Sequence, residues 1–328
     1  MSVFPQMRLR RLRQTESLRK MFDISMPGPE KFIWPVFVLE GTGRRDPIAA
    51  MPGQSRLSPD ELVRDLEPVV AAGIGGILLF GLVHDDQKDQ NGSAAWNENG
   101  VVQQAVKAVR TAYPDLTAIT DVCLCAYTSH GHCGVLDSGG AVLNDQTIAL
   151  LAKIARSHAD AGAHAVAPSA MMDGQVSAIR QTLDSAGLTD TLIMSYSTKF
   201  ASAMYGPFRE AEHSAPQKGD RKGYQASYAN LHCALRESVL DEEEGADILM
   251  VKPGLLYLDI LARLREQTDL PIAVYNVSGE YSMLIAAADR GWGDLRGMVR
   301  ESIIALTRAG ADCIISYWAN QYSVISNR

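Results

Sequence analysis

The sequence predicts an α/β protein, a (β/α)8 TIM barrel with an extended N-terminal arm. Eight short apolar runs alternate with longer stretches that carry helix start signals, which is the pattern of strands and helices around a parallel sheet. Several of the helical stretches end at a glycine directly before the next strand, as at Gly162 and Gly310. A repeat of helix, glycine and strand around eight strands is typical of a closed barrel.

The predicted strands are apolar without alternation, as expected for parallel strands that are buried on both faces. They are Ile33–Leu39, Gly76–Leu82, Ala118–Leu124, Ala165–Pro168, Leu192–Ser197, Ile248–Val251, Ile272–Val277 and Cys313–Tyr317. An open doubly wound sheet is the alternative arrangement. That fold would place a glycine-rich phosphate loop after the first strand, and the segment Gly41-Thr-Gly43 matches such a loop poorly.

The composition is that of an ordinary globular protein with a sizeable core. Of the 328 residues, 46% are apolar and 21% are charged, and no low-complexity linker divides the chain. We therefore expect one barrel domain over residues 32–328 after an arm over residues 1–31. A net charge of −7 argues against a nucleic-acid partner, and no apolar run suits a signal peptide or a membrane span. A cytoplasmic protein is expected.

The predicted arm is locally basic but also contains apolar residues. The segment contains Leu9, Leu12, Leu18, Met21 and Phe22 before a Pro-Gly-Pro break and the first strand, and these residues have no obvious partner within the chain. We expect these side chains to pack on a neighbouring subunit of a homo-oligomer, because exposed apolar patches commonly mark protein interfaces.

A second unusual segment follows the fifth predicted strand. Residues 200–226 form a polar, glycine-bearing connection that is too long for a simple turn, on the side where a barrel carries its active site. The segment holds Arg209, Arg221 and Lys222, which could clamp an anionic substrate as a lid closes over it. A solvated loop is the alternative, because arginines are common on surfaces.

Two lysines occupy equivalent places at the ends of strands. Lys252 follows the strand Ile248–Val251, and Lys199 follows the strand Leu192–Ser197. The carboxyl ends of barrel strands meet at one face, so each ammonium would oppose protonation of the other and leave some free amine at neutral pH. A free amine attacks ketones, which predicts Schiff-base chemistry on a carbonyl substrate. Either lysine could instead extend past its strand into water.

Three of the five cysteines lie close together in the sequence. Positions two apart in a strand face the same way, so Cys123 and Cys125 should share a side, and a glycine-bearing loop can return Cys133 to them. Three thiolates make a zinc site with an open position, which suits a metal that also binds water or substrate. Buried cysteines that act as small apolar groups are the alternative. We expect Cys233 and Cys313 to lie in the core.

Short motifs along nearly the whole chain point to one family. They are Trp34-Pro-Val-Phe37, Met51-Pro-Gly53, Asp121-Val-Cys-Leu-Cys125, Thr128-Ser-His-Gly-His-Cys-Gly134, Ala167-Pro-Ser169, Met171-Met-Asp-Gly174, Met194-Ser-Tyr-Ser-Thr-Lys-Phe200, Gly206-Pro-Phe-Arg209, Met250-Val-Lys-Pro-Gly254 and Val277-Ser-Gly-Glu280. Together they resemble porphobilinogen synthase, also called 5-aminolevulinate dehydratase. The resemblance implies a barrel enzyme that condenses two molecules of 5-aminolevulinate to porphobilinogen with loss of two waters, early in haem and chlorophyll synthesis. It also implies a homo-octamer assembled through the N-terminal arms.

The resemblance also implies a role for each residue at a matching position. Lys252 corresponds to the lysine that forms the Schiff base with the first substrate, and Lys199 to a second essential lysine. The positions that hold substrate carboxylates correspond to Ser278 and Tyr317 for the first substrate, and to Arg209, Arg221 and Gln225 for the second. The metal positions correspond to Cys123, Cys125 and Cys133 for zinc, and to Glu237 for an allosteric magnesium that some members bind.

Two positions depart from the usual pattern of that family. Ala170 stands where an aspartate is usual, and Gln175 stands where an arginine is usual. A catalytically inactive relative that serves in assembly or metal binding is therefore one rival hypothesis. The other is a class I aldolase, a Schiff-base barrel enzyme that needs one lysine and no metal. The second lysine and the three clustered cysteines argue against the aldolase.

Overall fold

Eight parallel strands close into a barrel in the computed structural model, which describes residues 3–326. The strands of its sheet are β1 (Phe32–Leu39), β2 (Arg45–Pro47), β3 (Ser55–Leu57), β4 (Gly76–Leu82), β5 (Thr117–Val122), β6 (Ala165–Pro168), β7 (Leu192–Lys199), β8 (Ile248–Lys252), β9 (Ile272–Asn276) and β10 (Cys313–Ser316). The barrel consists of β1 and then β4 to β10 in chain order, and pairing of Ile33 with Ile315 closes it. The predicted fold class is confirmed.

The short strands β2 and β3 form an antiparallel hairpin that the hydrophobic pattern does not predict. Arg45 is paired with Leu57, and β3 then adds in parallel to the edge of β1. Strands of three residues that include polar residues and a proline show no alternation, so periodicity cannot reveal them.

Apart from one exposed helix in the N-terminal segment, the helices pack around the strands through apolar residues. In residues 3–326 the helices are α1 (Glu16–Phe22), α2 (Pro59–Ala71), α3 (Val101–Ala112), α4 (Asn144–Asp160), α5 (Gln175–Ser185), α6 (Gly206–Glu212), α7 (Leu231–Glu243), α8 (Leu258–Arg265), α9 (Ser278–Asp289), α10 (Leu295–Arg308) and α11 (Tyr322–Ile325). In α2, for example, Leu62, Leu66 and Val69 recur at helical spacing and are fully buried. Among the described residues no helix is both long and apolar enough to cross a membrane.

The strand β5 ends earlier than the sequence predicts. Its last residue is Val122, so Cys123 and Cys125 lie in the turn that follows rather than on the strand. The prediction that strand alternation aligns the two thiols is therefore wrong. The backbone leaves the sheet because Tyr127 and Thr128 both donate their N–H groups to the carbonyl oxygen of Leu124, each at 2.9 Å.

The N-terminal segment contributes no buried residue until it reaches the barrel. A short 3₁₀ helix over Leu9–Arg13 and the helix α1 are exposed, and Met21 and Phe22 keep 70% and 62% of their surface exposed. The segment meets the barrel where the Tyr322 hydroxyl donates to the carbonyl oxygen of Pro27 at 3.4 Å. Residues 1, 2, 327 and 328, at the ends of the predicted arm and barrel, lie outside the described residues.

The segment predicted as a long polar loop, residues 200–226, contains the helix α6. Its two ends are held together, because the N–H of Ala201 donates to Ala226 O at 2.9 Å and that of Ala226 to Lys199 O at 3.0 Å. The segment therefore rises from the end of β7 and returns to it, and we call residues 200–226 the lid.

Candidate active site

Lys199 and Lys252 lie side by side at the carboxyl ends of β7 and β8. They are the last residues of their strands and are paired with each other in the sheet register. Both are buried, with 5% and 4% of their surface exposed. The Nζ atom of Lys199 donates to the carbonyl oxygen of Ser169 at 2.6 Å. The sequence predicts that the two lysines end neighbouring strands, and their positions in the sheet agree with this prediction.

The amine of Lys252 is surrounded by aromatic rings. Its Nζ atom lies 4.2 Å from the ring centroid of Tyr275 and 4.9 Å from those of Tyr196 and Phe208. Burial, and secondly the positive charge of Lys199, lower the pKa of Lys252 from 10.5 to about 7. An amine with that pKa is about half unprotonated at neutral pH and can act as a nucleophile.

Two polar residues that sequence reasoning did not single out complete this end of the barrel. Asp121 and Ser169 line the same small cavity, of about 20 Å³, as both lysines. Burial raises the pKa of Asp121 to about 7, although the charge of Lys199 opposes the shift. Its Oδ1 atom is buried without a hydrogen-bond partner among residues 3–326. Asp121 is therefore placed to exchange a proton, and an acid within an apolar strand was the available sequence signal.

Cys123, Cys125 and Cys133 form a compact, buried cluster next to this cavity. Their Sγ atoms all lie within 4.8 Å of one another, and those of Cys123 and Cys125 are 3.4 Å apart. Hydrogen bonds from Cys123 and Cys125 hold the pKa of Cys133 well below its usual range. Three sulfur donors at this spacing, one of them favoured as a thiolate, fit a soft divalent metal ion.

Arg209 and Arg221 reach the same cavity from the lid. The Nε atoms of both guanidinium groups are buried without a hydrogen-bond partner among the described residues, as are both amide atoms of Gln225. Burial, and secondly the charge of Arg221, lower the pKa of Arg209. Buried donors that lack an acceptor are unfavourable. The two guanidinium groups are therefore suited to the carboxylate of a ligand, whereas Gln225 lines a different cavity.

The lid is docked on the loop that carries the cysteines. Arg221 donates from Nη2 to the carbonyl oxygen of Gly131 at 3.0 Å, and Gln217 donates from Nε2 to that of Ser129 at 2.6 Å. Gly131 has a φ of 73°, and a Cβ atom there would lie 2.6 Å from the carbonyl oxygen of Ala215 in the lid. The lid and the cysteine loop are therefore held against each other through the backbone of the loop.

Ser278 and Tyr317 adjoin the lysine pocket through intermediate residues rather than by lining the cavity. Ser278 begins α9, and its Oγ atom accepts from the backbone N–H of Phe208 at 3.0 Å. Tyr317 follows β10, and its hydroxyl lies 3.1 Å from that of Tyr275. Phe208 and Tyr275 are two of the rings around Lys252, so both predicted residues lie one side chain away from the amine.

Glu237 lies apart from the lysines, in a second cavity of about 630 Å³ that Asp173 and Gln225 also line. Burial, followed by the charges of Asp173 and Glu244, raises its pKa. Cys233 lines the same cavity and is exposed. The expectation that Cys233 belongs to the core is therefore wrong, because it occupies the solvent-facing side of the first turn of α7.

The two positions that depart from the family pattern do not line the lysine cavity. Ala170 is fully buried. Gln175 is also buried, and its side chain accepts from the N–H of Met172 at 3.3 Å and donates to the carbonyl oxygen of Pro168 at 3.4 Å. Both residues are thus buried in the fold outside the lysine cavity.

Comparison with known proteins decides the family. The family profile described as delta-aminolevulinic acid dehydratase matches residues 6–325. The chain belongs to the delta-aminolevulinic acid dehydratase family. A dehydratase of that name from Halalkalibacterium halodurans is 52% identical over 312 residues, which are 95% of this chain and 94% of the relative. The dehydratase of Synechococcus elongatus is 51% identical over 320 residues, which are 97% of this chain and 98% of the relative.

A solved dehydratase structure agrees with the sequence comparison. The crystal structure of the enzyme from Toxoplasma gondii, in complex with its reaction product porphobilinogen, has a TM-score of 0.94 and 44% identity. The match covers 96% of this chain and 90% of the Toxoplasma gondii chain. Membership in the dehydratase family makes this chain an enzyme of tetrapyrrole biosynthesis, a hydro-lyase, as its motifs predict. The prediction of the family is confirmed, and the aldolase hypothesis is rejected.

Proposed function

We propose that this chain condenses two molecules of 5-aminolevulinate to porphobilinogen with loss of two waters. The observation that carries the proposal is the buried lysine pair, in which the pKa of Lys252 falls to about 7 beside Lys199. Each substrate molecule offers a ketone, an amine and a carboxylate. The ketone can react with the neutral amine, and the carboxylates can accept hydrogen bonds from the unpaired donors around it.

Lys252 forms the imine with the first substrate. Its amine adds to the ketone carbon, and the ketone oxygen leaves as water once it has gained protons. Asp121 exchanges those protons, because its pKa of about 7 lets it act as acid or base at neutral pH. Lys199, held by the carbonyl oxygen of Ser169 at 2.6 Å, is the second essential lysine and carries protons or forms an imine of its own.

The two carboxylates bind to separate groups of residues. Ser278 and Tyr317 bind the carboxylate of the first substrate. This assignment is supported by their positions one side chain from Lys252. The carboxylate of the second substrate binds to the lid through Arg209, Arg221 and Gln225. The unpaired buried donors of these residues support this role.

Cys123, Cys125 and Cys133 hold a zinc ion. Thiolate donors favour zinc over magnesium, and the compact spacing of the three Sγ atoms fits one ion. Zinc bound there supplies a Lewis acid at the edge of the lysine cavity, which Cys125 lines. The chain itself contributes a buried site in which the guanidinium of Arg221 offsets the negative charge of the thiolates.

Glu237 is the residue to which we assign an allosteric magnesium. Magnesium keeps several waters and needs only one or two carboxylates, and Glu237 and Asp173 line the same water-accessible cavity. A bound cation would also relieve the repulsion among Glu237, Asp173 and Glu244 that contributes to the raised pKa of Glu237.

The N-terminal segment assembles the chain into a homo-octamer. The exposed apolar side chains of that segment support this assignment, because they find no partner in the barrel. We also place the enzyme in the cytoplasm, where a reducing environment suits five free cysteines.

The proposed reaction is tested with purified protein, 5-aminolevulinate and a colour reagent for pyrroles. We expect pyrrole to form at neutral pH, to stop when a chelator removes zinc, and to return when zinc is restored. A folded, zinc-loaded protein that makes no pyrrole would overturn the proposed reaction. Activity that persists in fully metal-free protein would overturn only the assignment of zinc.

A further inference from the structure

Glu212 is a buried carboxylate that forms no direct salt bridge with residues 3–326. It is the last residue of α6 and exposes 3% of its surface. It forms no ion pair with residues 3–326, and its one hydrogen bond comes from the thiol of Cys125, whose Sγ atom lies 3.4 Å from Oε2. A thiol is a weak donor. Sequence reasoning missed this residue, because a glutamate at the end of a short lid helix is no motif.

Such an arrangement needs a physical reason. An ionised carboxylate away from water is strongly unfavourable unless it is paired with a cation or bound to a metal. The cluster of Cys123, Cys125 and Cys133 offers three donors, one fewer than the four of a closed tetrahedral site. Glu212 lies beside Cys125 and borders the same cavity, so its position suggests that a metal is the missing direct partner of its carboxylate.

The distances agree with this interpretation. In a tetrahedral zinc site, neighbouring sulfur and oxygen donors are about 3.6 Å apart, and neighbouring sulfurs about 3.8 Å apart. The corresponding distances are 3.4 Å from Cys125 Sγ to Glu212 Oε2 and 3.4 Å from Cys123 Sγ to Cys125 Sγ. Glu212 approaches Cys125 rather than all three thiols, so binding to a shared metal requires its side chain to rotate to another staggered rotamer.

We propose that Glu212 is the fourth protein group of the cysteine metal site and supplies an oxygen ligand to zinc while no substrate occupies the cavity. The inference rests on the proposed zinc site. Four basic side chains line the same cavity, and those that are protonated offset the negative charge of three thiolates and a carboxylate. They are Lys199, Lys252, Arg209 and Arg221. A substrate group that binds the metal must then displace Glu212.

The test compares metal binding in the wild type, Glu212→Gln, Glu212→Ala and the matched control Glu210→Ala. Glu210 lies on the same helix and carries the same charge, but it is exposed. Metal-free proteins are titrated with Co²⁺ and Zn²⁺ against a competing chelator, and the visible spectrum of the cobalt form is recorded. We expect both Glu212 variants to lose at least about tenfold in metal affinity, with altered visible bands, and the Glu210 variant to match the wild type.

Each outcome separates the two proposals. Unchanged affinity and unchanged cobalt bands in the Glu212 variants would overturn the role of Glu212 and leave the zinc site standing. A wild type without sulfur-to-cobalt charge-transfer bands would overturn the zinc site, and the role of Glu212 with it.

If the variants do not fold, the wild type alone provides the test through its metal-difference infrared spectrum. A shift of one carboxylate band when zinc is added supports Glu212 as a zinc ligand. If no carboxylate band shifts, this role of Glu212 is overturned.

Discussion

Replacing Lys252 with methionine should make the protein more stable, although it removes the proposed nucleophile. Lys252 is buried among aromatic rings, and its pKa falls from 10.5 to about 7 in the folded protein. A shift of that size corresponds to about 5 kcal/mol of unfavourable free energy for the protonated lysine. Methionine has a similar length and no charge, so Lys252→Met should remove this penalty.

The sign of the pH dependence follows from proton binding. Between pH 7 and pH 10.5 the unfolded chain holds a proton on Lys252 that the folded protein has lost. The free energy of unfolding of the wild type therefore rises with pH across this window. Below the window the full penalty applies, and above it the penalty vanishes. The advantage of Lys252→Met should be largest, up to about 5 kcal/mol, at pH 7 and below, and should shrink toward pH 10.

The assay is urea unfolding followed by circular dichroism at several pH values, for the wild type, Lys252→Met and the control Lys222→Met. The side chain of Lys222 is 72% exposed in the lid, so its replacement should change stability little at any pH. A Lys252→Met protein that is less stable than the wild type at pH 7 would refute the reasoning. So would a difference that does not vary with pH.

Three further predictions test other parts of the site and the assembly. Cys125→Ala should lose bound zinc and most activity while Cys233→Ala, which changes an exposed thiol, keeps both. Elemental analysis decides this, and an active wild type without zinc would refute it. Arg209→Ala should weaken substrate capture about ten- to a hundredfold, because a bidentate arginine–carboxylate pair contributes about 1.5–3 kcal/mol. Borohydride trapping on Lys252 should survive in that variant, and its loss would assign Arg209 to the first substrate or to the fold. Deleting residues 1–25 should give smaller oligomers with an intact barrel, and an unchanged mass by light scattering would reject the role of the arm.

The sequence was sufficient for the barrel because its signal is repeated. Each barrel strand is an apolar run, and several of these runs follow a glycine that ends a helix. The apolar pattern depends on burial, which acts at every strand. The hairpin of β2 and β3 has no such signal, since its residues are few and mostly polar. The helix α6 was also missed, because Gly206 and Pro207 at its start suggest a turn rather than a helix.

The functional residues were predictable where the chemistry is local in the sequence. Lys199 and Lys252 could be paired because both end apolar strands whose carboxyl ends must meet. The cysteine cluster could be predicted from spacing, but not the turn that forms it, since that depends on hydrogen bonds to Leu124. Glu212 could not be predicted, because its burial results from the way the lid folds back onto the barrel.

The central claim is that Lys252 is the amine that forms the imine. The most direct measurement is reduction with borohydride in the presence of 5-aminolevulinate, followed by mass mapping of the modified peptide. We expect one stable adduct on Lys252, formed faster as the pH rises through about 7, where the amine loses its proton. Active enzyme that gives no adduct, or an adduct found only on another residue, would contradict the account.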